Sequence, residues 1–143
     1  SPAFIADPGT EIADLVHVMD IYTTIADATD ADGSDGSDSV SLMPFLRDVD
    51  GDIRDHLFTE LFNPSTETGE LAVRVDDWKL LVKVVDGGDG PCRGNYRLYD
   101  LSTDRFEGTN LSSTNSDVVA TMTDWIDSVR DGEDAWFDVD DCD

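Results

Sequence analysis

The sequence predicts an α+β fold in which a four-stranded antiparallel sheet packs against a C-terminal helix. Three observations predict it. Four short segments, HLFTELF (56–62), LAVRV (71–75), WKLLVKVV (78–85) and YRLYDL (96–101), are rich in aromatic and β-branched residues and bounded by turn formers. The connection between the second and third is only Asp76-Asp77, which suits a hairpin, and GGDG at 87–90 loosens the next one. Residues 115–130 carry Val118, Val119, Met122, Trp125, Ile126 and Val129 at helical spacing. Such a one-sided helix needs an apolar surface to cover, and the sheet offers one.

The elements before the sheet read as follows. AFIA (3–6) is strand-like, and Pro8-Gly9 marks a turn. From Ile12 the apolar positions run Ile12, Leu15, Val16, Met19, Tyr22 and Ala26, the spacing of a helix face. The many β-branched residues there weaken a long helix, so a shorter one capped by Asp20 is the alternative. DATDADGSDGSD (27–38) is a loop by composition, and SLMPFL (41–46) is a short apolar turn or helix. At the far end Ser116 can cap the last helix, Asp117 suits its positive end, and Gly132 follows its close. The tail DAWFDVDDCD has no assigned element.

Composition bounds the function. The chain has 143 residues, enough for a real core, and 33 Asp plus Glu against 9 Lys plus Arg, for a net charge of −24. Without a cluster of Lys and Arg it is no nucleic-acid binder, and its acidity disfavours anionic membrane surfaces. No apolar run reaches the roughly 20 residues of a membrane span. The acid serves a solvated surface, solubility at high salt, or cation attraction. Residue 1 reads as a cut inside a longer chain, with a processed terminus as the alternative. A bond between Cys92 and Cys142 would tie the tail to the loop before residue 96 and suit an oxidising compartment, and two unrelated thiols is the other option.

Candidate chemistry is sparse. His17 lies among apolar residues and reads as a satisfied core group, and His56 opens a strand at the surface beside Asp55. Lys79 and Lys83 flank an apolar pair on one strand, while Arg74, Arg93 and Arg97 are scattered. One of these could line an anion pocket, against the plainer reading of strand-edge charge. Two acidic stretches invite calcium. In the first, Asp30, Asp32 and Ser34 are followed by Asp35 where the calcium loop needs Gly, and DVDGD (48–52) puts Ile53 at that place. The segment LYDLSTDRFEGTNL (98–111) spaces Asp100, Asp104, Glu107 and Asn110 regularly. Those side chains are either ligands or the acceptors of a wound loop.

The order of segments carries a resemblance. SPAFIADPG, VHVMDIYTTI, DSVSLMPFL, RDHLFTEL, AVRVDDWKLL and LYDLSTDRFEGTNL together resemble the C-terminal third of sulfatases of the arylsulfatase type, within the alkaline-phosphatase-like superfamily. The likeness runs from residue 2 to about residue 129. Leu98, Tyr99, Asp100, Leu101, Asp104, Glu107, Asn110 and Leu111 match the family's last motif, with Arg105 in place of its proline. Asp20 and Thr24 match an earlier one, with Thr23 where proline is usual and Ser39 where glycine is common.

The resemblance implies a C-terminal subdomain of an α/β sulfatase fold. Residues 1–47 would end the large domain, and 48–143 would form the subdomain. It implies that the 98–111 segment is structural and that the chain is a lid, a cleft wall or a dimer contact. The parent would hydrolyse sulfate esters with Ca²⁺ and a formylglycine made from a Cys/Ser-x-Pro-x-Arg motif. That motif is not found here: after Cys92 come Gly94 and Tyr96 at the third and fifth places. No catalytic, cofactor-binding or metal-binding residue is therefore assigned to this chain. The expected partners are the N-terminal catalytic portion and, through it, a sulfated small molecule or polysaccharide. The expected location is extracytoplasmic: secreted, periplasmic or lysosome-like. A free-standing acidic module binding cations or protein, and the tail of a related phosphatase or phosphodiesterase, are the alternatives.

Overall fold

A computed structural model describes residues 5, 8–31, 38–47, 53–86, 91–130 and 140–141. The chain forms two compact units, Ser1–Asp55 and His56–Asp143. The expected domain boundary after residue 47 adjoins residues 48–52, which lie outside the described set. So does the expected first strand, apart from Ile5, which is in no regular element.

In the first unit the chain turns at Pro8-Gly9, where Gly9 takes φ +101°. Helix α1 spans Asp20–Ala28 and the short helix α2 spans Met43–Leu46. The long helix from Ile12 does not form. Ile12 and Val16 are exposed there instead of lining a buried stripe, and β-branched side chains favour a non-helical path without such a stripe. Nor does Asp20 cap α1. Met19 holds the cap position without a side-chain bond, and Asp20 is the first helical residue.

Asp20 instead closes a knot. Its fully buried carboxylate accepts from the His17 N–H (2.7 Å) and the Val40 N–H (2.9 Å), and pairs with the Arg54 guanidinium. Arg54 also donates to the Asp38 carbonyl. Ser39 Oγ donates to the Met19 carbonyl (2.7 Å) and meets the Thr23 hydroxyl. Thr24 Oγ1 donates to the Asp20 carbonyl and accepts from Leu42 N–H (2.9 Å). Burial raises the Asp20 pKa, but the Arg54 bond and the two backbone amides lower it further, to about 2. One carboxylate thus joins the start of α1, the 38–42 segment and Arg54.

The second unit is the predicted α+β arrangement. Strands β1 (Leu57–Asn63), β2 (Thr68–Val75), β3 (Trp78–Asp86) and β4 (Pro91–Asp100) pair antiparallel in chain order. A two-residue strand β5 (Asp140–Asp141) adds in parallel to the edge of β4, opposite Cys92 and Arg93, which places part of the unassigned tail. Asp76 takes the left-handed conformation (φ 50°) in the two-residue turn, a conformation that Asp tolerates. β4 begins five residues earlier than its apolar pattern and reaches Tyr96 through a bulge opposite Val82/Lys83, with Asn95 at φ 54°.

Side chains alternate between two faces. One face carries the rows Phe58–Val73–Leu80–Leu98 and Glu60–Leu71–Val82–Tyr96. Helix α3 (Ser116–Arg130) packs on it through Met122 and Ile126, both buried, with Val118, Val119 and Trp125 alongside. Asn115, not Ser116, stands at the cap of α3, because its carbonyl takes the first bond, from Val119 N–H (3.1 Å). Arg93 reaches Asp127, and Arg130 reaches Glu60 at 3.5 Å, pinning the helix to both sides of the sheet. Gly69 is forced by packing: a Cβ there would lie 2.2 Å from the Leu61 carbonyl oxygen.

Candidate functional site: a cation-lined groove on the second sheet face

The other sheet face carries the rows Leu57–Arg74–Lys79–Tyr99 and Thr59–Ala72–Leu81–Arg97. The 98–111 segment rises from the end of β4 beside it. Leu101 N–H donates to the Asp77 carbonyl (2.7 Å), which ties the segment to the β2–β3 turn. Asp100 Oδ1 accepts from the Ser102 N–H (3.0 Å) and hydroxyl, and Asp104 Oδ2 accepts from the Thr109 N–H (2.8 Å). Asn110 Oδ1 accepts from the Leu98 and Ser112 N–H groups, each at 3.0 Å, and its Nδ2 donates to the Tyr96 carbonyl (3.3 Å).

These side chains are the acceptors of a wound loop, as the structural reading of the motif expects. The hydrogen bond from the Ser102 side chain lowers the Asp100 pKa against a smaller burial effect. The Gly108 and Thr109 amides hold the Asp104 carboxyl below its ordinary range in the same way.

Glu107 has a different task. Its backbone is left-handed (φ 56°), and its carboxylate reaches Lys79 Nζ at 2.6 Å. With that contact the loop and the sheet border an open groove of about 470 Å³, lined by Leu57, Thr59, Ala72, Arg74, Lys79, Leu101, Arg105 and Glu107, with Val73 below. Arg74 Nε donates to the Asp76 carbonyl (3.0 Å), and the Arg105 guanidinium lies 5.6 Å from the centre of the Phe106 ring. Three cations and one carboxylate thus face one concavity. The excess of cations over carboxylates suits the arrangement to holding an anion.

Of the cations singled out in sequence, Arg74 and Lys79 are brought together as register partners. Lys83 lies on the same face opposite Glu70, outside the groove lining. Arg97 pairs with Glu70 as an ordinary surface charge, and the largely buried Arg93 pairs with Asp127 of α3. His17 is half-buried, and its Nδ1 accepts from Met19 N–H (3.3 Å). His56 is not at the surface as expected: it is half-buried, its ring 4.6 Å from that of Trp125. Sequence reasoning missed Arg105, whose one signal was its departure from the proline of the motif.

Cys92 is in a disulfide, and Cys142 lies outside the described residues. Among the described residues no group of three or more His, Cys, Asp or Glu side chains is placed to hold a metal. The calcium-like stretches fall largely on 32–37 and 48–52, outside that set. No described helix is long and apolar enough to cross a membrane.

No protein-family model matches the chain, and no curated protein does. Solved structures do. A Bacteroides fragilis protein assigned as a sulfatase is 18% identical with a TM-score of 0.64, over 84% of this chain and 25% of its own. A Bacteroides thetaiotaomicron protein, likewise assigned, is 19% identical with a TM-score of 0.59, over 74% of this chain and 22% of its own. A third, solved with its substrate D-glucosamine-2-N,6-O-disulfate, is 16% identical with a TM-score of 0.58, over 76% of this chain and 22% of its own. The fold is therefore that of a sulfatase C-terminal subdomain, and the chain spans about a quarter of each of these three proteins.

Proposed function

We propose that this chain is the C-terminal portion of a sulfatase and works beside an N-terminal catalytic portion that hydrolyses sulfate esters. The observation that carries the reading is the likeness itself: about three-quarters or more of this chain superimposes on about a quarter of several sulfatases. The exposed apolar residues of the first unit support it. Ile12, Val16, Val18, Ile21, Tyr22 and Ile25 are all about half exposed or more, and such a concentration within fourteen residues marks a surface awaiting a partner. The catalytic portion is the partner that this reading supplies.

In this reading the nucleophile and the Ca²⁺ belong to the catalytic portion. Asp100, Asp104 and Asn110 spend their oxygens on backbone amides and Asp20 spends its own on Arg54, so none of these residues is offered as a ligand. The disulfide at Cys92 supports an extracytoplasmic location. The substrate class is a sulfated saccharide, in keeping with the neighbour solved with a disulfated glucosamine.

The test is to read the gene upstream of Ser1 and express the whole frame. A Cys/Ser-x-Pro-x-Arg motif in frame, with release of sulfate from a sulfated glucosamine by the whole product and none by the 143-residue chain, is the expected result. An upstream frame without that motif, or turnover by the 143-residue chain alone, overturns the reading.

A further inference from the structure

We propose that the groove between Arg74, Lys79 and Arg105 is a binding subsite for a sulfate ester borne on a sugar. The ligand class rests on the sulfatase reading above, while the site rests on its own geometry. Acids outnumber cations 33 to 9 in this chain, so a cation near the surface ordinarily finds a carboxylate. Arg54, Lys79, Arg93, Arg97 and Arg130 each do. Among the described residues Arg47, Arg74, Lys83 and Arg105 do not, and of these four only Arg74 and Arg105 line the groove. Among the described residues, Arg74 meets a carbonyl through Nε alone and Arg105 meets only the Phe106 ring, so most of their N–H groups stay available.

The groove also holds positive charge at a cost. Arg74 and Lys79 stand directly opposite each other on β2 and β3, and like charges in that relation destabilise a sheet. Glu107 offsets the cost at Lys79 and fixes where its ammonium sits, but among the described residues no carboxylate pairs with Arg74 or Arg105. An oxyanion would. A guanidinium presents paired N–H groups that match two oxygens of a sulfate, and the ammonium supplies a point charge to a third.

The remaining lining fits the rest of such a ligand. Leu57, Ala72 and Leu101 form an apolar floor, and the Thr59 hydroxyl adds one polar contact. Phe106, beside Arg105, is 86% exposed, which leaves its ring free to stack against the C–H face of a pyranose. A volume of about 470 Å³ accommodates a small ligand of one or two sugar residues. The chain's overall negative charge repels an anion at long range, but at about 0.15 M salt the Debye length is about 8 Å, so the cations lining the groove govern binding once the ligand is near.

The experiment is a titration of the 143-residue chain with glucosamine 6-O-sulfate, with glucosamine, and with inorganic sulfate, followed by calorimetry and by amide chemical shifts. The sulfated sugar should bind and shift amides in β2, β3 and the 104–107 segment, with glucosamine and sulfate each about tenfold weaker or more. Arg105→Ala should weaken binding about tenfold, and Arg105→Lys should restore part of it. Among the described residues the Arg105 side chain meets only the Phe106 ring, so these variants should keep the fold. Lys83→Ala, outside the lining, should change nothing.

Equal binding of sulfated and unsulfated sugar, equal binding by Arg105→Ala, or no shifts at millimolar ligand would each overturn the subsite. Inorganic sulfate binding as tightly as the sulfated sugar would overturn the saccharide assignment. An upstream frame without the nucleophile motif removes the sulfatase reading and leaves this measurement standing. A motif found upstream with no binding here removes the subsite alone.

Discussion

Replacing Asp20 by Asn should loosen the first unit while leaving the sheet intact. The carboxylate is fully buried and its pKa falls from 3.8 to about 2 on folding. That difference corresponds to roughly 2–3 kcal/mol of stability at neutral pH, with 1.36 kcal/mol per pKa unit. The folded value lies below the unfolded one, so the contribution is complete above pH 3.8 and is lost as pH falls toward 2. Asn keeps the shape but points an NH₂ group at donors, since His17 N–H, Val40 N–H and Arg54 all need an acceptor there. The tryptophans all lie beyond residue 77, so fluorescence reports the other unit. Hydrogen exchange of the α1 amides is the suitable assay. Asp20→Asn should speed it by roughly 50-fold at pH 7, with 1.4 kcal/mol per tenfold. Wild-type α1 should show the same loss on acidification through that window. Exchange in the variant within about threefold of wild type would refute the claim that this carboxylate joins α1, the 38–42 segment and Arg54.

Four shorter predictions concern the rest of the chain. Ile126→Ala removes a fully buried side chain from the α3–sheet interface and should cost about 3–4 kcal/mol, read as a lower urea midpoint by tryptophan fluorescence. Asn110→Ala leaves the Leu98 and Ser112 amides and the Tyr96 carbonyl without their partner and should cost about 2 kcal/mol in the same assay. Gly69→Ala places a Cβ against the Leu61 carbonyl and should cost about 1–3 kcal/mol, with amide shifts concentrated in β1 and β2. With a net charge of −24, the melting temperature should rise with added NaCl between low and moderate salt, as screening relieves self-repulsion, and an unchanged value would remove charge repulsion as a stability term.

The sheet and its helix were legible because their signals are periodic and local. Runs of aromatic and β-branched residues between turn formers marked the strands, and the helical stripe named Met122 and Ile126, which pack against the sheet. The start of α1 was less legible because the same spacing fits both a helix and an irregular exposed segment. What fixes it is Asp20 reaching Val40 and Arg54, contacts 20 and 34 residues away that no local pattern contains. The extension of β4 back to residue 91 was hidden by Gly94 and Asn95, which read as loop residues and turn out to build a bulge.

The groove was illegible for a related reason. Arg74, Lys79 and Arg105 are spread over 32 positions of sequence, and each alone reads as ordinary surface charge. The hairpin register sets the first two face to face, and Glu107, in its left-handed conformation, draws the loop carrying Arg105 onto Lys79. The motif therefore supplies a scaffold rather than a site: Asp100, Asp104 and Asn110 shape the loop, and Glu107 fastens it to the sheet. The place where the resemblance expects proline sits at the lip of that scaffold. A proline there would offer neither charge nor a side-chain donor. In this chain Arg105 supplies both, so departures from the motif at the groove's lip are where a specificity of this protein's own can be written without disturbing the fold.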